Sequence, residues 1–190
     1  LGDFPIVRYT FKDDMEQLVN ASKRMPRNEV ARFIISDLDS AAILLSASSP
    51  DGRKNRLYKD IAYLYKSRVG LFEGTWLKYF IGTAFVPNWE GWPGATKGYN
   101  QGYEYPSGSI DNEIQWFLDQ AIEAAALVAD KYELTNNTGV LMEKVGDTNP
   151  YVEQFSALDM SGYDEILLWR DFDKGKSIVH NRPIACGTSC

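Results

Sequence analysis

Side chains able to do chemistry are few in this chain, and their spacing excludes more than it proposes. His180 is the one histidine, so a Ser-His-Asp or Cys-His arrangement would have to rest on it. No Gly-x-Ser-x-Gly elbow, His-Glu-x-x-His pair or phosphate-cradling glycine loop is present. His180 is therefore read as a surface or ligand-contact residue. A disulfide between Cys186 and Cys190 would close only a tiny loop, and a metal site there would need two further ligands. Both are read as reactive or incidental thiols. Asp37 and Asp39 stand two apart on a predicted helix and diverge; Asp164 and Glu165 open a predicted strand and also diverge. Solvated faces are expected for both pairs. The run Asp171-Phe172-Asp173-Lys174-Gly175-Lys176-Ser177 opens like a calcium loop, but the closing glutamate position holds Arg182, which excludes an EF-hand. No catalytic residue, metal site or cofactor is expected.

Aromatic rings give the stronger signal. Residues 82–110 hold Trp89, Trp92, Tyr99, Tyr103 and Tyr105 among glycines and the prolines Pro87, Pro93 and Pro106. A connection this long is uncommon unless functional or disordered, and disorder sits badly with such aromatic density. An ordered loop with exposed ring faces is predicted. Sugar rings present C–H faces that lie well on Trp and Tyr, while Asn88, Glu90, Asn100 and Gln101 could bond hydroxyl groups. Those five aromatic residues are the candidate ligand-binding set. The alternative is that the rings plug the loop onto its own domain or onto a partner, since aromatics are also enriched at interfaces.

The elements that must position this loop are helices. In 28–46, the residues Val30, Phe33, Ile34, Leu38, Ala41, Ala42 and Leu45 repeat with the period of one helical face. In 58–80, Ile61, Tyr65, Val69, Phe72, Trp76 and Phe80 do the same. Breakers at 48–53 join the two, so an antiparallel hairpin is expected. Gly70 and Gly74 each cost about 1 kcal/mol relative to alanine inside a helix, which predicts close approach of a neighbouring helix. A third helix is predicted over 111–132, with Asp111 as its cap and Ile114, Phe117, Leu118, Ala121, Ala125, Val128 and Tyr132 as its stripe. Residues 2–11 read as an extended entry segment or edge strand, 14–18 as at most a short helix, 150–158 as a short helix after proline, and 165–172 as a strand. Pro26 stands ahead of the first long helix, with Asn28 or its predecessor as the cap. The pattern predicts a mainly α fold of helical hairpins, loosely like tetratricopeptide stacks, with long loops and a few peripheral strands.

The apolar and charged fractions are those of an ordinary globular protein. A net charge of −6 argues against an electrostatic grip on nucleic acid or anionic membrane. No apolar run is long enough for a membrane-spanning helix.

Several blocks together suggest a family. They are Gly2-Asp3-Phe4-Pro5-Ile6-Val7; the run from Arg27-Asn28-Glu29 through Asp37-Leu38-Asp39 to Ala41; and Ala62-Tyr63-Leu64-Tyr65 through Gly70-Leu71-Phe72-Glu73-Gly74-Thr75-Trp76. An alanine-rich helix then runs into Lys131-Tyr132-Glu133-Leu134. Asn149-Pro150-Tyr151 through Phe155 and Asp164-Glu165-Ile166-Leu167-Leu168-Trp169-Arg170 follow. In this order the chain resembles the SusD/RagB family, surface glycan-binding lipoproteins of Bacteroidetes. The resemblance implies an α-rich, SusD-like fold with tetratricopeptide-like helix pairs carrying ligand loops. It implies non-catalytic binding of oligosaccharide or related nutrient, delivery to a SusC-like TonB-dependent transporter, and surface exposure at the cell outer membrane. Family members are longer, so residues 1–190 are expected to be one SusD-like segment of a longer chain, with the lipid anchor on the missing N-terminal part. A tetratricopeptide-like protein–protein adaptor is the alternative of a different class. A carboxylate-dependent glycoside hydrolase, with two carboxyl groups about 5–9.5 Å apart across a cleft, is the third.

Overall fold

Three helices of 18, 21 and 17 residues make up most of the described helical structure. The computed structural model describes residues 2–140, 146–171 and Gly175. The described residues are mainly helical, in the order β1 (Phe4–Pro5), α1 (Met15–Ala21), β2 (Arg24–Met25), α2 (Arg27–Leu44), α3 (Lys59–Tyr79), α4 (Ile110–Ala126) and α5 (Pro150–Ser156). They divide into two compact units. The first comprises Leu1–Leu45 and Ala62–Asp130; the second comprises Ser46–Ile61 and Lys131–Cys190.

In the first unit, α2 and α3 run antiparallel, as their ion pairs show. Arg27 at the start of α2 meets Glu73 far along α3 at 2.6 Å, whereas Asp39 near the end of α2 meets Lys66 at 2.6 Å. The core between the helices is Ala31, Ile35, Leu77, Val86 and Phe117, with Val69, Phe80, Ile110, Ile114 and Trp116 packed around it. The buried line is rotated from the expected apolar stripes. On α2 the buried residues are Arg27, Asn28, Ala31, Ile35 and Ala42, while Ile34 is 41% exposed. On α3, Tyr65 and Phe72 are 44% and 54% exposed, and Gly70, Glu73, Gly74 and Leu77 face inward. Small and ion-paired residues make the closest contact lines here, and bulky apolar side chains flank them.

The glycine expectation is met directly. A Cβ on Gly70 would stand 2.7 Å from the Phe117 carbonyl oxygen and 3.0 Å from the Ala121 nitrogen; one on Gly74 would stand 2.9 Å from Leu118. So α3 and α4 touch nearly backbone to backbone at Gly70, and at Gly74 the Leu118 side chain fills the space that a larger residue would need.

Helix starts follow local chemistry. Asp14 accepts from the Gln17 N–H (2.9 Å) and Ser109 from the Asn112 N–H (3.2 Å), each satisfying an orphan donor of a first turn. Ser109, rather than Asp111, therefore caps α4. Asn149 does the same for α5, with Pro150 at its first position. α2 opens directly after Pro26 without a side-chain cap, and Asn28 is spent elsewhere. Phe4 and Pro5 of β1 pair antiparallel with Met25 and Arg24 of β2 and no further, so the extended entry over 2–11 forms only a two-residue ladder.

The second unit is held largely by polar side chains. Asp60, 4% exposed, accepts from Lys131 (2.8 Å) and from the Tyr132 hydroxyl (2.9 Å), and Tyr58 lies 3.3 Å from that hydroxyl. α4 stops at Ala126, short of the expected 132, and Tyr132 is engaged in this cluster instead. The expected strand over 165–172 is not formed across its described residues, 165–171. Trp169 bonds the Lys54 carbonyl through its backbone N–H (3.1 Å) and the Arg53 carbonyl through its indole N–H (2.6 Å). These contacts satisfy the segment without a ladder. Phe172, Asp173, His180, Cys186 and Cys190 lie outside the described residues.

Gly70→Ala should destabilise the protein by about 1–3 kcal/mol despite alanine's better helix propensity, because the new methyl meets backbone that cannot move alone. Gly98→Ala, where a Cβ meets nothing within 4 Å, should change stability by less than about 0.5 kcal/mol. Urea denaturation of both variants checks the contrast.

Candidate functional site

The connection from α3 to α4 is a chain of tight turns pinned at many points. Successive backbone bonds of the three-residue type run from Thr83 to Tyr103, including short 3-10 turns at Pro93–Thr96 and Gly98–Asn100. Val86 and Pro87 are buried beneath them. Asn88 takes a positive φ of 66°, which asparagine tolerates, and its amide donates to the Tyr103 carbonyl at 2.9 Å.

Among the five candidate rings, the structure turns three inward. Trp92 is 4% exposed, and its indole N–H donates to Asp3 at 3.2 Å. Tyr103 packs 5.7 Å from Trp92 and donates its hydroxyl to Asn28 Oδ1 at 2.9 Å. Tyr105 stacks edge-on with Tyr103 at 5.6 Å and donates to the Pro87 carbonyl. Burial pushes the Tyr105 phenol up to about 12 and raises that of Tyr103 further, so both remain neutral donors at physiological pH. Trp89 and Tyr99 differ. They are 38% and 44% exposed, and the Tyr99 hydroxyl accepts from the Arg24 backbone N–H at 3.2 Å, which fixes the ring. Of the polar candidates, Asn100 is buried and bonds the Gly94 carbonyl, whereas Glu90 and Gln101 are exposed.

Beneath the loop lies a polar framework that apolar periodicity does not reveal. Arg27 forks onto Glu73 through two bonds of 2.9 and 2.6 Å and stacks over Trp76 at 4.3 Å. Arg32 grips Glu113 at 2.8 Å through both Nε and Nη2, and it stacks on Trp116 at 3.7 Å. Asn28 joins the two ends, donating to Glu113 at 2.8 Å while accepting from Tyr103. The signal available in the sequence was Arg27, Asn28 and Arg32 flanking Ala31 on one helical face, with Glu73 beside Gly74. Burial opposes ionisation of Glu113, but hydrogen bonds from Arg32, Asn28 and Ser107 outweigh it and hold the carboxyl below its ordinary value.

The carboxylate pairs show no shared task. Asp37 is exposed and Asp39 is engaged by Lys66. Asp164 accepts from the Glu133 N–H at 2.7 Å, while a buried oxygen of Glu165 has no hydrogen-bond partner among the described residues. No group of three or more His, Cys, Asp or Glu side chains among the described residues could hold a metal ion. No described helix is long and apolar enough to cross a membrane.

Residues absent from the candidate list also frame the surface beside Tyr99. Arg24, Phe85 and Lys97 line a cleft with it, together with Asp3 and Trp92. Only Phe85 carried a sequence signal, as one more aromatic of the same loop.

No family model, curated protein or solved structure matches this chain.

Because Glu113 has a depressed folded-state pKa, its contribution is full above the ordinary value of 4.5 and is lost as pH falls through the folded value. Glu113→Gln should cost about 3 kcal/mol at neutral pH. The gap from wild type should close as the pH falls below 4.5. Denaturation midpoints across this range measure it.

Proposed function

We propose that this chain is a non-catalytic binding segment for oligosaccharide or a related nutrient, of the SusD/RagB type. In that setting it would sit on the cell surface at the outer membrane, as part of a longer lipid-anchored protein, and hand its ligand to a SusC-like TonB-dependent transporter. The observation that carries the proposal is the α3–α4 loop, whose inner rings and hydrogen bonds fix it so that Trp89 and Tyr99 present partly bare faces. A ring held in place loses little entropy when a sugar stacks on it. The resemblance in sequence supports the same assignment, since its blocks supply Arg27, Asn28, Arg32, Gly70, Glu73 and Gly74, the framework under the loop. Antiparallel α2 and α3, with small residues at the contact between α3 and α4, suit tetratricopeptide-like helical pairs.

A second reading, a protein-binding adaptor, is favoured by one feature. A cleft of ≈ 560 Å³ along α2 and α3 is lined mostly by apolar and aromatic side chains, among them Phe4, Val30, Ile34, Tyr65 and Phe72, with Arg27, Arg68 and Glu73 as its charged members. Exposed apolar surface of this kind also marks protein contacts.

Isothermal titration of the chain against neutral oligosaccharides and peptides separates the two. Saccharide binding is expected, weakened about two- to tenfold by Trp89→Ala and by Tyr99→Ala. Absence of any saccharide binding, with tight binding of a peptide unaffected by both substitutions, would put the adaptor in its place.

A further inference from the structure

The cleft beside Tyr99 has features that a neutral-sugar platform does not require. It has a volume of ≈ 290 Å³, close to the lower end of ligand pockets at about 300 Å³, which suits one or two sugar rings. Its aromatic walls are preformed. Phe85 is 58% exposed, yet it is braced edge-on by Phe80 at 5.8 Å and by Trp76 at 6.3 Å. Tyr99 is held by its hydroxyl, as described above. Trp92 forms the base, and Gly94 wraps it so closely that a Cβ there would fall 2.2 Å from the indole ring.

Charge sets this cleft apart. The protein carries a net charge of −6, yet Arg24 and Lys97 both line the cleft and both are exposed. Their side chains make no hydrogen bond or ion pair among the described residues. Among the residues lining the cleft the one carboxylate is Asp3, half-buried, with Oδ1 taken by the Trp92 indole N–H at 3.2 Å. Two cations thus face one acid, and a positive charge is left over in an otherwise acidic molecule.

We infer that this cleft binds a saccharide bearing an anionic substituent. The sugar ring lies against Phe85 and Tyr99, its carboxylate or sulfate meets Arg24 and Lys97, and a ring hydroxyl donates to Asp3. Arg24 and Lys97 supply charge-assisted bonds that a neutral sugar cannot fully use. The inference rests on the glycan-binding proposal above and narrows its ligand to an acidic one.

The test is isothermal titration of the whole chain with trigalacturonic acid, a sulfated galactose trisaccharide and neutral galactotriose. At least one acidic trisaccharide should bind about fivefold or more tighter than the neutral one, and whichever binds better names the substituent. That advantage should collapse in about 0.5 M salt. Arg24→Gln and Lys97→Gln, both at exposed positions, should remove it and weaken galactotriose binding far less than binding of the acids. Should galactotriose bind as tightly as both acids, or the acids bind the two variants as well as wild type, the acidic-ligand inference falls and glycan binding stands. Should none of the three bind, while circular dichroism shows the chain folded, the glycan proposal itself falls.

Discussion

Close approach of α3 and α4 at Gly70 and Gly74 is the constraint on which the rest of the first unit depends. With Phe117 and Ala121 backbone atoms in the space that a Gly70 Cβ would need, and the Leu118 side chain in that of Gly74, the gap between the helices leaves no room for a methyl group. That spacing determines where Glu73 and Glu113 stand. It lets Arg27 and Arg32, both from the first turns of α2, each reach a different helix. An alanine at either glycine would shift more than one methyl group's worth of packing, because the arginine forks accept little change in geometry.

The two buried forks are expensive features. Removing charges from water costs several kcal/mol per ion, and mutual attraction returns it only when geometry and further hydrogen bonds are good. Here they are good at Glu113, which takes bonds from Arg32, Asn28 and Ser107. At Arg27 one guanidinium nitrogen is buried with no hydrogen-bond partner among the described residues, and the Trp76 ring beneath supplies a cation–π contact instead. Such a network adds directional constraint more than stability. Asn28 conveys that constraint outward: it holds Glu113 with one atom and Tyr103 with the other, and so ties the helical framework to the loop. The exposure of Trp89 and Tyr99 is the outward end of the same chain of contacts.

Helix existence was legible because periodicity is a property of the chain itself, and α2, α3 and α4 lie close to where it places them. The close approach behind Gly70 and Gly74 was legible too, since only a packing reason offsets their cost in a helix interior. Which face is buried was not. Periodicity weights Ile34, Tyr65 and Phe72, but the contact lines follow ion pairs and small residues, and those large side chains remain partly exposed. Residues 165–171 show the converse failure. Their apolar run has strand character, yet a strand needs a partner edge, and Trp169 spends its donors on Arg53 and Lys54. For the loop, composition identifies aromatic density but cannot divide rings that plug from rings that present. That division depends on Asp3, Asn28 and Pro87, whose positions next to the loop are tertiary facts. Arg24 and Lys97 meet at one cleft for the same reason.

The central claim, that the loop presents an outer aromatic face to a saccharide above a helical framework that stays fixed, is most directly tested by the indole N–H resonances. Each of the five tryptophans contributes one such signal in a nitrogen–proton correlation spectrum, assignable by single Trp→Phe substitutions. On titration with an oligosaccharide, the Trp89 signal should shift in a saturable way, and that of Trp116, stacked under Arg32, should stay in place. A Trp89 signal that is unmoved by every saccharide, neutral or acidic, or that moves only together with Trp116, would contradict the account.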